Sequence, residues 1–83
     1  MQNAPILTHR KIEYLSLAAL GYSNQETAKT LFVTENTVKK TLETIFDKLE
    51  AKGRTNAVTI AFINNILNQD IINRTKEKYK ISN

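Results

Sequence analysis

Ser23-Asn24-Gln25-Glu26-Thr27-Ala28-Lys29-Thr30-Leu31-Phe32-Val33-Thr34-Glu35-Asn36-Thr37-Val38-Lys39-Lys40 is the stretch that decides the fold. It holds two helix starts in quick succession. Ser23, with Glu26 three residues on, has the form of a capping box, in which each side chain satisfies a backbone amide of the other. Thr34 is a second N-cap. Beyond it Val38, Leu42, Ile45 and Leu49 recur at helical spacing and share one face, while Asn36, Lys39, Lys40, Glu43 and Asp47 share the opposite, wet face. The segment between the caps is a short helix that buries Ala28, Leu31 and, at its edge, Thr27. Phe32 and Val33 then lead into a turn. Two short helices joined by three or four residues make a helix-turn-helix. Ala28 suits the close crossing such a pair requires.

Outward from this unit the punctuation stays helical. Leu7-Thr8 opens a first helix with Thr8 as cap, Ile12, Leu15, Ala18 and Ala19 form its apolar stripe, and Gly21 stands where a C-terminal stop belongs. Lys52-Gly53 closes the third helix. Arg54 or Thr55 opens a fourth, expected to run to about Leu67, with Ile72 as its furthest reach. No segment alternates apolar and polar residues for long, so the fold class is all-α, a four-helix helix-turn-helix domain. The expected organisation is an arm over 1–6, the domain over 7–69 and a polar, basic extension over 70–83. In that tail Arg74, Lys76, Lys78 and Lys80 outweigh Asp70 and Glu77, and it reads as a solvated, frayed end.

Composition bounds the rest. A chain of 83 residues makes one domain with a small core. It has no Cys, hence no disulfide and no thiolate metal site. With no signal sequence in view and no apolar run near the ~20 residues of a membrane span, the expected place is the cytoplasm, in association with the nucleoid. The formal net charge of +4 tilts toward an acidic partner without establishing one.

A helix laid in the major groove reads bases chiefly through its N-terminal part. Lys39 and Lys40 are placed for that, and each can reach guanine acceptors or phosphates. The Thr34 and Thr37 hydroxyls, with the amides of the same helix end, can hold a phosphate. A plainer reading stands beside this one. Glu35, Lys39 and Glu43 form i,i+4 pairs that decorate any exposed helix, and residues 35 to 50 carry three lysines against four acids. Glu43 either accepts from a cytosine amino group or faces solvent.

The run Leu7-Thr8-x-Arg10, then Leu15-x-Leu17-x-Ala19-x-Gly21-x-Ser23-Asn24-x-Glu26-x-Ala28, resembles the start of the LuxR/GerE-type DNA-binding domain. Leu31-Phe32-Val33-Thr34-x-x-Thr37-Val38-Lys39, Ile45-x-x-Lys48-Leu49, Arg54-Thr55-x-Ala57-Val58 and Ala61 continue it in order over residues 7 to 67. The resemblance implies a tetrahelical domain, of winged-helix kind without the wing, that regulates transcription with its third helix in the major groove of double-stranded DNA. It implies base contacts from Asn36, Lys39, Lys40 and Glu43, phosphate contacts from Ser23, Asn24, Thr34, Thr37 and Thr41, and homodimerisation through the fourth helix. Two positions depart from the family. Lys11 stands where Glu is usual, which removes the reciprocal half of a capping box on Thr8. Thr41 stands where His is common, so the contact made there is altered.

The fourth helix is apolar nearly all round, and one face suffices for its own domain. Either a dimer covers the other face, with Ile63, Asn64, Ile66 and Leu67 near the two-fold, or the C-terminal segment folds back over it through Ile71, Ile72, Tyr79 and Ile81. Family members commonly carry a sensing domain, for which this chain has no room. It is therefore expected to stand alone, a shortened piece being the alternative. The competing function is a protein-interaction module that pairs with a full-length relative, and RNA polymerase is a further candidate partner. No small-molecule ligand, cofactor or metal is expected. Nor is an enzyme: His9, the only histidine, has no evident acid partner, and neither a Cys nucleophile nor a Gly-rich phosphate loop is present.

Overall fold

The computed structural model describes residues 7–82, and the expected arm over 1–6 lies outside them. Five helices are described: α1 His9–Ala19, α2 Asn24–Leu31, α3 Glu35–Leu49, α4 Arg54–Ile63 and α5 Gln69–Lys78. Side chains start four of them. The Thr8 hydroxyl accepts from the Lys11 amide at 3.1 Å, and the Thr34 hydroxyl from the Thr37 amide at 3.1 Å. Ser23 and Glu26 close their capping box at 3.0 and 2.8 Å. Asn68, a cap not foreseen, accepts from the Ile71 amide at 2.9 Å. At α1 the cap survives without its reciprocal acid, because Lys11 supplies only its backbone N–H.

The helix ends depart from expectation. The third helix stops at Leu49, not at Lys52-Gly53, because Glu50 takes a left-handed conformation (φ 55°) and the Ala51 amide turns back to the Phe46 carbonyl. The fourth stops at Ile63, short of Leu67. Asn65 is left-handed (φ 59°), and the Ile66 and Leu67 amides both bond the Ala61 carbonyl. Phe32 and Lys80 close α2 and α5 in the same conformation. Glycine is the usual residue at such ends and Asn the next, so Phe32, Glu50 and Lys80 give no sign in the sequence and Asn65 only a weak one.

The core gathers Leu15 and Leu17 of α1, Ala28 and Leu31 of α2, Val38, Leu42, Ile45 and Leu49 of α3, Ala57 and Ala61 of α4, and Leu67. α3 lies against α1, α2 and α4 together. The segment expected as a solvated tail is α5, an amphipathic helix packed on α1. Ile72 and Thr75 are buried on it, and Ile71, Tyr79 and Ile81 are partly buried. It folds back over α1 and not over α4, the helix it was offered to cover, so the second face of α4 gains nothing from it.

One buried carboxylate fastens α5. Glu13 on α1 accepts from Lys78 Nζ at 2.7 Å, from the Tyr79 hydroxyl at 2.6 Å and from Arg10 Nη1 at 3.3 Å. His9 Nε2 lies 3.7 Å from it, so the histidine does have an acid neighbour. Burial pushes the Glu13 carboxyl up, but the bonds from Lys78, Tyr79 and Arg10 together outweigh burial and hold it below its ordinary value. The Glu13 hydrogen bond raises Lys78. Burial and then the Glu13 bond raise Tyr79.

Two outcomes follow for stability. Glu13→Ala strands its donors and is expected to cost about 2 kcal/mol, a fall of roughly 10 °C in melting temperature for a domain this size. Because the folded pKa of Glu13 lies below its unfolded value of about 4.3, its contribution is complete above that pH and is lost as pH falls through the depressed value. The contributions of Lys78 and Tyr79, both raised, persist below about pH 10 and fade as pH rises through the folded values. Melting curves from pH 3 to 7 test this, with Glu13→Gln flattening the acid limb. Phe32, left-handed and 90% exposed, carries a conformational cost of about 1 kcal/mol that Asn largely avoids. Phe32→Asn is expected to raise the melting temperature by a few degrees, and an unchanged or lower value would refute the strain.

Candidate nucleic-acid interface

Burial of Val38, Leu42, Ile45 and Leu49 turns the opposite face of α3 to solvent. At 100° per residue Asn36, Lys40 and Glu43 centre on that face, with Lys39 on one flank and Thr37 and Thr41 on the other. Asn36, Lys39, Lys40 and Glu43 are all exposed, and Thr41 is half-buried. The four residues expected to meet bases therefore share one uninterrupted surface.

The start of α3 is polar and directed. The Thr34 hydroxyl accepts from the Thr37 amide and donates to the Thr37 hydroxyl at 3.0 Å. The Thr37 O–H is left as the donor at the end of this short chain, and the helix dipole adds positive potential there.

Ser23 and Asn24 form a second polar corner at the start of α2. The Ser23 oxygen accepts from the Glu26 amide, so its own O–H is the group left to donate. Arg54, at the start of α4, donates to the Tyr22 carbonyl at 3.2 Å and to Asn24 Oδ1 at 2.5 Å. With its carbonyl oxygen engaged, Asn24 keeps its two amide hydrogens for an outside acceptor. Arg54 thus orients Asn24 across thirty residues of sequence and brings a cation to the anion-favouring end of α2. In the sequence Arg54 marks a helix start and a point of family resemblance, and nothing local shows this anchoring role. Glu26 sets an acid at the same end, held by the Ser23 amide.

Phe32 is a surface feature that residue spacing does not show. It stands almost fully exposed in the turn that feeds α3. Its left-handed backbone points the chain into the Thr34 cap, and no periodicity could show that its ring is left outside.

The residues expected at a dimer seam separate. Ile63 is 75% exposed and Phe62 44% exposed at the end of α4. Ile66 is partly buried, and Asn64 is exposed with its amide donating to the Ile60 carbonyl at 3.0 Å. Leu67 cannot serve, for the turn at Asn64-Asn65 folds it wholly into the core. Among the described residues no group of His, Cys, Asp or Glu could hold a metal, and no helix is long and apolar enough to cross a membrane.

A family model of bacterial regulatory proteins, the luxR family, matches residues 5–61. The chain is 48% identical over 56 residues to the CsgBAC operon transcriptional regulatory protein of Escherichia coli, which covers 68% of this chain and 26% of that protein. A probable csgAB operon transcriptional regulatory protein of Salmonella typhimurium is similar to the same extent. The response regulator protein VraR of Staphylococcus aureus is 47% identical over 62 residues, 75% of this chain and 30% of that protein. The chain thus spans between a quarter and a third of the length of these relatives. With more than half its residues under the family model, and the helices that the match requires in place, this chain belongs to the luxR family of bacterial regulatory proteins.

Proposed function

We propose that this chain is a sequence-specific DNA-binding regulator of transcription that sets α3 in the major groove. The observation that carries the reading is the single exposed surface of Asn36, Lys39, Lys40 and Glu43 behind the capped start of α3. Lys39 and Lys40 offer donors to guanine O6 and N7, Asn36 suits adenine, and Glu43 accepts from a cytosine amino group. Ser23 Oγ, Asn24 Nδ2 and the Thr37 hydroxyl are donors for phosphate oxygens on either side, with Thr34 and Thr41 beside them. The relatives carry the names of regulators, and that role comes to this chain as part of the proposal.

The active form in this reading is a homodimer. Phe62 and Ile63 form an apolar end of α4 that α5 leaves uncovered, and Ile66 and Asn64 adjoin it. Two copies joined there would read half-sites about one helical turn apart.

Two measurements test this. In mobility shifts on duplexes selected from random DNA, Lys39→Ala and Lys40→Ala are each expected to lower affinity by about 1–3 kcal/mol and to relax preference at one base position. Neither side chain is buried, so the melting temperature should hold. Full affinity in both variants would remove α3 from the groove. Sedimentation should show the chain dimeric on DNA and Ile63→Asp monomeric. A strictly monomeric parent on a two-half-site duplex would rule out the α4 seam.

A further inference from the structure

Phosphate neutralisation supplies much of the affinity of proteins for DNA, yet the helix set for reading is electrically neutral. Within Glu35–Leu49, Lys39, Lys40 and Lys48 are balanced by Glu35, Glu43 and Asp47. In α2, Lys29 is balanced by Glu26. The formal net charge of +4 must therefore sit elsewhere. Three of its four units belong to two helices that touch and the residues just after the second. α1 has Arg10 and Lys11 against Glu13, α5 has Arg74, Lys76 and Lys78 against Asp70 and Glu77, and Lys80 follows α5.

These helices meet beside the reading unit. Arg10 Nη1 donates to the Tyr79 hydroxyl at 3.0 Å, and its Nη2 to the Leu31 carbonyl at 2.9 Å. Leu31 is the last residue of α2, next to Phe32 and the turn into α3. One guanidinium therefore pins the C-terminal end of α5 to the helix-turn-helix turn. The two flanks of α5 are not alike. Ile71, Arg74, Thr75 and Lys78 line a groove against His9, Ile12 and Glu13. Lys76 falls on the other flank and Lys80 comes just after it, the Ile81 amide bonding the Lys76 carbonyl at 2.8 Å. Neither lysine pairs with an acid among the described residues. In a three-helix helix-turn-helix of the homeodomain kind, the chain ahead of the first helix reaches the minor groove next to the one being read. By analogy with that docking, the start of α1 and the end of α5 fixed to it fall at the level of the DNA backbone.

We infer that the corner where α5 meets α1 is a second DNA contact, a phosphate clamp flanking the major-groove site, with Lys76 and Lys80 as the residues that meet the backbone. It rests on the DNA-binding reading above and adds to it a surface beyond the matched family region, which ends at residue 61. The clamp supplies affinity without sequence preference, the share that the neutral α3 lacks.

The test is a salt titration of binding to a selected duplex and to a scrambled one. It uses the parent chain, the double variant Lys76→Gln/Lys80→Gln, the charge-keeping Lys76→Arg/Lys80→Arg, and Arg74→Gln as a single charge removed from the groove flank. Loss of two phosphate contacts should make the slope of log affinity against log salt shallower by about 2 and weaken binding about tenfold or more on both duplexes. The preference between duplexes should stay, the arginine pair should bind as the parent does, and Arg74→Gln should stay within about twofold. Parent-like affinity and slope in the glutamine pair would overturn the clamp. So would an Arg74→Gln loss as large as the pair's, which would reduce the corner to a diffuse charge. Binding lost in the glutamine pair and not restored by the arginine pair would also overturn it. A parent chain that binds neither duplex at low salt would overturn the DNA-binding reading itself, and the clamp with it.

Discussion

The buried stripe of α3 governs the arrangement of this domain. Val38, Leu42, Ile45 and Leu49 are held by α1, α2 and α4 at once. A helix gripped on one side by three others has no freedom to roll, because interior packing leaves little room for a second set of contacts. The rigidity of the buried side passes to the opposite face, where Asn36, Lys39, Lys40 and Glu43 gain a fixed spacing without any direct bond holding them. Preorganisation of an exposed surface is thus a consequence of what is hidden beneath it.

A second tie acts at longer range. Glu13 takes donors from Lys78, Tyr79 and Arg10, and Arg10 also bonds the Leu31 carbonyl. A buried charge is tolerated when its lone pairs are satisfied and opposite charges adjoin it. Here the satisfaction comes from two separate helices, so meeting the needs of the carboxylate also fixes where α5 sits. Arg54 does similar work on the other side, linking the starts of α4 and α2 through Asn24. Both cations thereby join segments that lie far apart in sequence, and both stand near ends of the reading unit.

How much could be read in advance varied with how local the signal was. Thr8, Ser23 with Glu26, and Thr34 were legible as caps because a cap and its amide lie three residues apart. The stripe of α3 and its wet face were legible from spacing alone. The ends of α2, α3 and α5 were not, since Phe32, Glu50 and Lys80 hold left-handed backbones that their residue types do not announce, and at α4 the one sign was Asn65, a type that tolerates this conformation. A non-glycine residue accepts that cost of about 1 kcal/mol only where surrounding packing returns it. That is why α4 was expected four residues too long and Leu67 was expected at a surface. For the tail, spacing offered both a frayed end and a segment folded back through Ile71, Ile72, Tyr79 and Ile81, but onto α4: in isolation Gln69–Lys78 is polar and basic, and only Glu13 on α1 makes its lysine a partner.

The sequence by itself determined the all-helical class, the positions of four helix starts, the helix-turn-helix and the surface by which α3 faces outward. It also carried the family, through a collinear set of residues that needs no coordinates. Tertiary structure alone decided that α5 exists as a packed helix, that it rests on α1 and leaves Phe62 and Ile63 bare, and that Arg10 and Arg54 are anchors. Caps and stripes are written within a few residues of where they act, so local rules suffice for them. The pairing of Glu13 with Lys78 and Tyr79 spans more than sixty residues, and a bond of that reach is chosen by which surfaces remain unburied once the first four helices have closed.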